Sequence, residues 1–70
     1  MDIKEIGTRI KEIRIEQGLS QQEFGARLSV SQDTVSLWEN GKSVPTAEFL
    51  IAIAQQFDVS VDYILCLKNY

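Results

Sequence analysis

Apolar residues along the chain recur three and four positions apart rather than in alternation. Ile3, Ile6, Ile10 and Ile13 mark one helical face, and Phe49, Leu50, Ile53, Ala54 and Phe57 mark another. One local pattern is written four times. An apolar residue precedes a hydroxyl residue, and a second apolar residue follows five positions after the first: Leu19-Ser20 with Phe24, Val30-Ser31 with Val35, Pro45-Thr46 with Leu50, and Val59-Ser60 with Ile64. Ser and Thr favour the N-cap because the side-chain oxygen accepts from a backbone N–H that the helix leaves unpaired. The apolar pairs have the spacing of a hydrophobic staple, and Ser20-Gln21-Gln22-Glu23 completes a capping box. Gly18 and Gly41 stop the segments before Leu19 and Pro45, and Asp58 tolerates a left-handed stop before Val59. These signals predict an all-α chain of five helices, at roughly residues 3–17, 21–28, 32–40, 47–57 and 61–67.

The second and third helices are short, and only Ser29-Val30-Ser31 separates them. So tight a turn forces a steep crossing. Phe24, Leu28, Val30, Val35 and Trp38 supply its apolar contacts, and Gly25 is small enough for the third helix to come close.

In this setting residues 6–65 resemble the lambda repressor/Cro-type helix-turn-helix domain, the XRE family. The resemblance rests on Ile10-Lys11-Glu12-Ile13-Arg14, Gly18-Leu19-Ser20-Gln21-Gln22-Glu23-Phe24, Val30-Ser31, Val35-Ser36-Leu37-Trp38-Glu39-Asn40-Gly41-Lys42, Pro45 and Val59-Ser60-Val61-Asp62-Tyr63-Ile64-Leu65. It implies a compact five-helix domain over residues 1–70, with the helix-turn-helix at residues 21–40. It also implies a transcriptional repressor or activator that binds double-stranded DNA as a dimer; a repressor acting as a homodimer on a two-fold symmetric site is the expectation for this chain. One departure is Ser29, where the family commonly has a left-handed glycine.

Composition narrows the alternatives. At 70 residues and 44% apolar the chain fits one domain and is too apolar for intrinsic disorder. Its longest uncharged stretch, residues 49–57, is far short of the ~20 residues of a membrane span. The start, Met1-Asp2-Ile3-Lys4-Glu5, lacks the pattern of a signal peptide. A single cysteine, Cys66, makes no internal disulfide and points to the reducing cytoplasm; it reads as a small buried apolar residue rather than a redox switch. With no histidine, and no nucleophile paired with a base, an enzyme is the weakest reading, and neither cofactor nor metal is expected.

An α-helix fits the major groove of B-DNA and presents its N-terminal residues to base edges. With Val35 and Trp38 inward, the third helix leaves Gln32, Asp33, Ser36, Leu37 and Asn40 outward. Gln32 can pair its amide with adenine, and the resemblance implies that it reads a base; the plainer alternative is a solvated first-turn residue. Asp33 either favours the helix dipole or accepts from the cytosine amine, and it repels phosphate. Leu37 touches either a thymine methyl or a protein partner. Ser31, Thr34 and Ser36 carry hydroxyls that suit phosphate or base, and are also ordinary helix filler.

The resemblance implies that Gln21 clamps a phosphate and braces the third helix. Asn40, Lys42, Ser43 and Thr46 form a second candidate phosphate site. Arg27 is either a further contact or an exposed helix charge. The resemblance also implies an ion pair between Arg14 and Glu39, orienting the third helix rather than touching DNA.

Charge is the main objection. The chain carries a net −3. Residues 20–46 hold Arg27 and Lys42 against Glu23, Asp33 and Glu39, which is 2 − 3 = −1. A strongly electrostatic DNA binder looks different. The objection weakens if Glu23 is used in its capping box and Glu39 on Arg14. It also keeps a second reading open, a protein-interaction module on the same fold, such as an antitoxin or an anti-repressor partner. Leu37 and Ile15 would serve that reading. In the last helix Val61, Ile64 and Leu65 read as core, which leaves Tyr63, Leu67 and Tyr70 as candidates for a dimer patch.

Overall fold

A computed structural model describes residues 2–70; Met1, which the single-domain reading includes, lies outside them. The described residues form five helices and no strand: α1 (Ile3–Glu16), α2 (Gln21–Leu28), α3 (Gln32–Glu39), α4 (Ala47–Phe57) and α5 (Val61–Ile64).

The starts follow the sequence closely. Ser20, Ser31 and Ser60 are extended N-caps whose side chains accept from the backbone N–H groups of Glu23, Thr34 and Tyr63. The capping box is complete, with Glu23 Oε1 accepting from the Ser20 N–H at 2.9 Å. Asp2 caps α1 by accepting from the Lys4 N–H at 2.9 Å, a start the hydroxyl pattern does not reveal. Thr46 has cap geometry at α4 but makes no side-chain cap bond.

The stops share one device. Each helix ends in a left-handed residue, in turn Gly18, Ser29, Gly41, Asp58 and Cys66. In every case the next N–H reaches back five residues to a helix carbonyl: Leu19 to Arg14, Val30 to Gly25, Lys42 to Leu37, Val59 to Ala54 and Leu67 to Asp62, all at 2.8–3.2 Å. That six-residue closure satisfies carbonyls that a helix end otherwise leaves orphaned. It also corrects the last helix. Where the pattern predicts residues 61–67, the left-handed Cys66 ends α5 after one turn, and the Leu67 N–H closes on the Asp62 carbonyl at 2.8 Å. Cys66 is half-buried, not the buried apolar residue the sequence suggests.

The core is Ile6, Ile10 and Ile13 from α1, Phe24 and Leu28 from α2, Val35 and Trp38 from α3, Ile53 and Phe57 from α4, and Ile64 from α5. Ile3 belongs to the helical face of α1 but lies beyond the core and is exposed. Phe24 and Phe57 stack with centroids 5.0 Å apart, which ties α2 to α4. Trp38 lies 5.7 Å from Phe49, which ties α3 to the same helix. Such pairs add about 0.5–1.5 kcal/mol beyond their burial. Two glycines let α3 sit deep. A Cβ on Gly25 would lie 2.7 Å from the Val30 carbonyl oxygen, and one on Gly7 would overlap that of Trp38.

Candidate nucleic-acid interface

One flank of α3 is buried through Val35 and Trp38, and the opposite flank is open. Gln32 and Asp33, in its first turn, are exposed. Leu37 is 48% exposed on the same helix. Ser36 is half-buried, and its hydroxyl accepts from Asn40 Nδ2 at 3.1 Å, which joins a base candidate to a phosphate candidate one turn away.

The other polar residues fall at the two ends of α3. At its N-terminal end Ser31 caps Thr34, and the two hydroxyls lie 3.1 Å apart. At its C-terminal end Asn40 and Lys42 are exposed, and the half-buried Ser43 turns its N–H toward the Leu37 carbonyl. Thr46 is exposed at the start of α4, where its hydroxyl is not used as a cap. Arg27 is exposed in the last turn of α2, where a cation suits the helix dipole.

Behind this surface lies a braced network. Arg14 Nε donates to Glu39 Oε2 at 2.6 Å, and Arg14 Nη2 donates to Oε1 at 3.0 Å. Arg14 Nη1 donates to the Leu19 carbonyl at 2.9 Å. Gln21 Nε2 also donates to Glu39 Oε1, at 3.1 Å. The pair is largely shielded, with the Arg14 side chain 12% and that of Glu39 3% exposed. Hydrogen bonding to Glu39 holds the Arg14 guanidinium above its ordinary pKa, against the opposing effect of burial. The Gln21 amide nitrogen carries two N–H groups, so one remains for an anion after Glu39 is served.

Two residues near this surface are not evident in the sequence reading. Gly7 lies in the stripe formed by Ile6, Ile10 and Ile13, and that position is the available signal for its contact with α3. Lys4 packs its stem on Gly41, since a Cβ there would meet Lys4 Cγ at 2.8 Å. This places a second cation beside the Asn40–Lys42 end of α3, and nothing local in the sequence announces it.

Of the three dimer candidates, Tyr63 is half-buried beneath Arg9, whose guanidinium carbon lies 4.0 Å from the ring centroid. Arg9 Nη1 also donates to the Tyr63 carbonyl at 2.7 Å. Leu67 is 60% and Tyr70 81% exposed. Among the described residues no cluster of His, Cys, Asp and Glu could hold a metal ion, and no helix is long and apolar enough to cross a membrane.

Comparison with known proteins gives this geometry a setting. A family model described as helix-turn-helix matches residues 10–64. The chain is 33% identical over 61 residues to the HTH-type transcriptional activator BcrR of Enterococcus faecalis, covering 87% of this chain and 30% of that protein. It is 38% identical over 55 residues to the antitoxin PezA of Streptococcus pneumoniae, covering 79% of this chain and 35% of that one. The chain therefore spans about a third of the length of these two relatives. The P22 c2 repressor, in a crystal structure with a synthetic operator, superposes with a TM-score of 0.79 at 30% identity, covering 84% of this chain and 89% of that one. With the family model spanning most of the chain and a repressor's fold superposing on it, the chain belongs to the lambda repressor/Cro-type helix-turn-helix family.

Proposed function

We propose that this chain binds double-stranded DNA in a sequence-specific way and acts in transcriptional regulation, as a repressor working in the cytoplasm. The observation that carries the reading is the open flank of α3: Gln32, Asp33 and Leu37 exposed on a helix whose other flank is locked by Val35 and Trp38. In this reading α3 enters the major groove. Gln32 pairs with adenine, Asp33 accepts from a cytosine amine, Leu37 meets a thymine methyl, and Ser36 adds a hydroxyl. Gln21, Ser31, Thr34, Asn40, Lys42, Ser43 and Thr46 fix the register against phosphates. The site works without a cofactor or metal and performs no catalysis.

The finer proposal is a homodimer that meets through Leu67 and Tyr70, with Tyr63 supporting them from beneath Arg9. A body of 27 × 24 × 21 Å lets two copies occupy successive turns of one DNA face, about 34 Å apart. Sedimentation at high micromolar protein is expected to show a dimer, and a strict monomer with and without DNA contradicts this arrangement.

Selection from random duplexes tests the central claim. The unaltered chain is expected to enrich one sequence, and Gln32→Ala to lose about tenfold in affinity for it, the scale of one bidentate base contact. A second reading, a protein-interaction module, is supported by the similarity to the antitoxin PezA and by the apolar Leu37 on the reading flank. It replaces the first if no sequence is enriched.

A further inference from the structure

We propose that Gly7 is a positioning residue for base reading: it sets the tilt of α3 from behind, although it is buried and faces away from any duplex. The inference rests on the DNA reading above and extends it to a residue outside the interface.

The geometry is a helix seated on two notches. At its N-terminal end α3 rests over Gly25, where a Cβ would come 2.7 Å from the Val30 carbonyl oxygen, 3.3 Å from that of Ser31 and 3.3 Å from Val35 Cγ2. At its C-terminal end it rests over Gly7, where a Cβ would overlap the Trp38 carbonyl oxygen and lie 2.8 Å from that of Glu39. The atoms met at Gly7 are backbone. They cannot rotate away as a side chain does, so an added methyl must force α1 and the last turn of α3 apart, a lift of α3 relative to α1. Gln32 lies six residues from Trp38, about 9 Å along the helix axis, so the lift is levered into a change of tilt at the reading end.

The surroundings keep the displacement from being absorbed elsewhere. Glu39 is held to α1 by Arg14 at 2.6 Å and to α2 by Gln21 at 3.1 Å. Gly41, two residues on, lies against the stem of Lys4. The C-terminal end of α3 is thus tied at three points to its neighbours, and Gly7 is the spacer that sets its distance from α1. A donor–acceptor pair that moves by about 1 Å leaves the hydrogen-bonding range, so a small tilt removes base contacts while the fold persists.

The test separates positioning from stability. Affinity is measured by fluorescence anisotropy for the selected duplex and for the same duplex with one central base pair changed. The ratio of the two affinities is the readout. A variant that only unfolds more readily loses active protein equally for both duplexes and leaves the ratio unchanged. Gly7→Ala, assayed at a temperature where circular dichroism shows it folded, is expected to bind the selected duplex about tenfold more weakly and to bring the ratio toward one. Ile53→Val, a core truncation on α4, is expected to keep the ratio. The same pair of measurements is made for Gly7→Ala in the Ser29→Gly background, which relieves a strained turn. An unchanged ratio in Gly7→Ala overturns the proposal, as does failure to fold in both backgrounds, which makes Gly7 a packing residue alone. If the unaltered chain enriches no duplex, the DNA reading itself has failed, and the proposal falls with it.

Discussion

Ser29 holds φ 60° and ψ 37° in the turn between α2 and α3. A left-handed L-residue brings its Cβ close to the following carbonyl oxygen, at a cost of roughly 1–2 kcal/mol. Glycine escapes that clash but loses more chain entropy on folding. Ser29→Gly is therefore expected to raise stability by about 0.5–1 kcal/mol, which at this size is several degrees in Tm. Thermal denaturation checks it; an unchanged or lowered Tm means that the serine is not strained. Glu23 gives a second test. Its carboxylate accepts from the Ser20 N–H, and this bond, with the Ser20 side-chain bond, holds its pKa below the ordinary carboxylate value of 4.5. A depressed pKa favours the folded state above the unfolded value, and the advantage fades as pH falls through the folded one. The stability difference between the chain and Glu23→Gln is expected to be constant near neutral pH and to change only below about pH 4.5, as read by urea melts across that range.

Where α1 meets α3 the two elements are joined by the shielded pair of Arg14 and Glu39. Removing one partner of a shielded ion pair leaves the other charge desolvated, at about 3–5 kcal/mol. Arg14→Ala strands Glu39 with only Gln21 and deprives the Leu19 carbonyl of its donor. For so small a domain that is a large part of the total, so Tm is expected to fall by more than about 10 °C, whereas Arg27→Ala, at an exposed position, changes it little. Equal effects would show that the pair does no structural work. What was legible in the sequence follows this division between local and distant. Ser20, Ser31 and Ser60 could be read because a cap and its staple lie within a few residues of one another. Gly18 and Gly41 could be read because a left-handed stop needs only the residue itself. Thr46 keeps the cap geometry but not the bond. Cys66 ends α5 early because a closure onto Asp62 outcompetes a pattern that otherwise continues. Gly7 under Trp38, Lys4 against Gly41 and Arg9 over Tyr63 join segments distant in the chain, and no local spacing encodes them. The open flank of α3 was legible because Val35 and Trp38 fix which side is inward.

At the scale of the whole molecule the question is how an acidic domain meets a polyanion. The net charge of −3 is unevenly used. Arg14 is taken by Glu39, and Arg9 by the ring and carbonyl of Tyr63. Lys42 at the end of α3 and Lys4 beside Gly41 supply positive charge there, while Asp33 subtracts at the other end. Phosphates would then be met largely by hydroxyls, amides and N–H groups, which release few counterions. Each neutralised phosphate contributes about 0.9 to the slope of log affinity against log salt, so four or fewer per subunit give a slope no steeper than roughly 3.6 per subunit. Anisotropy titrations between low and moderate salt measure it, and Lys42→Gln should lower the slope by about one if that lysine meets a phosphate. A much steeper slope would mean that more cations than Lys42 and Lys4 meet phosphate, and that this account of the binding surface is wrong.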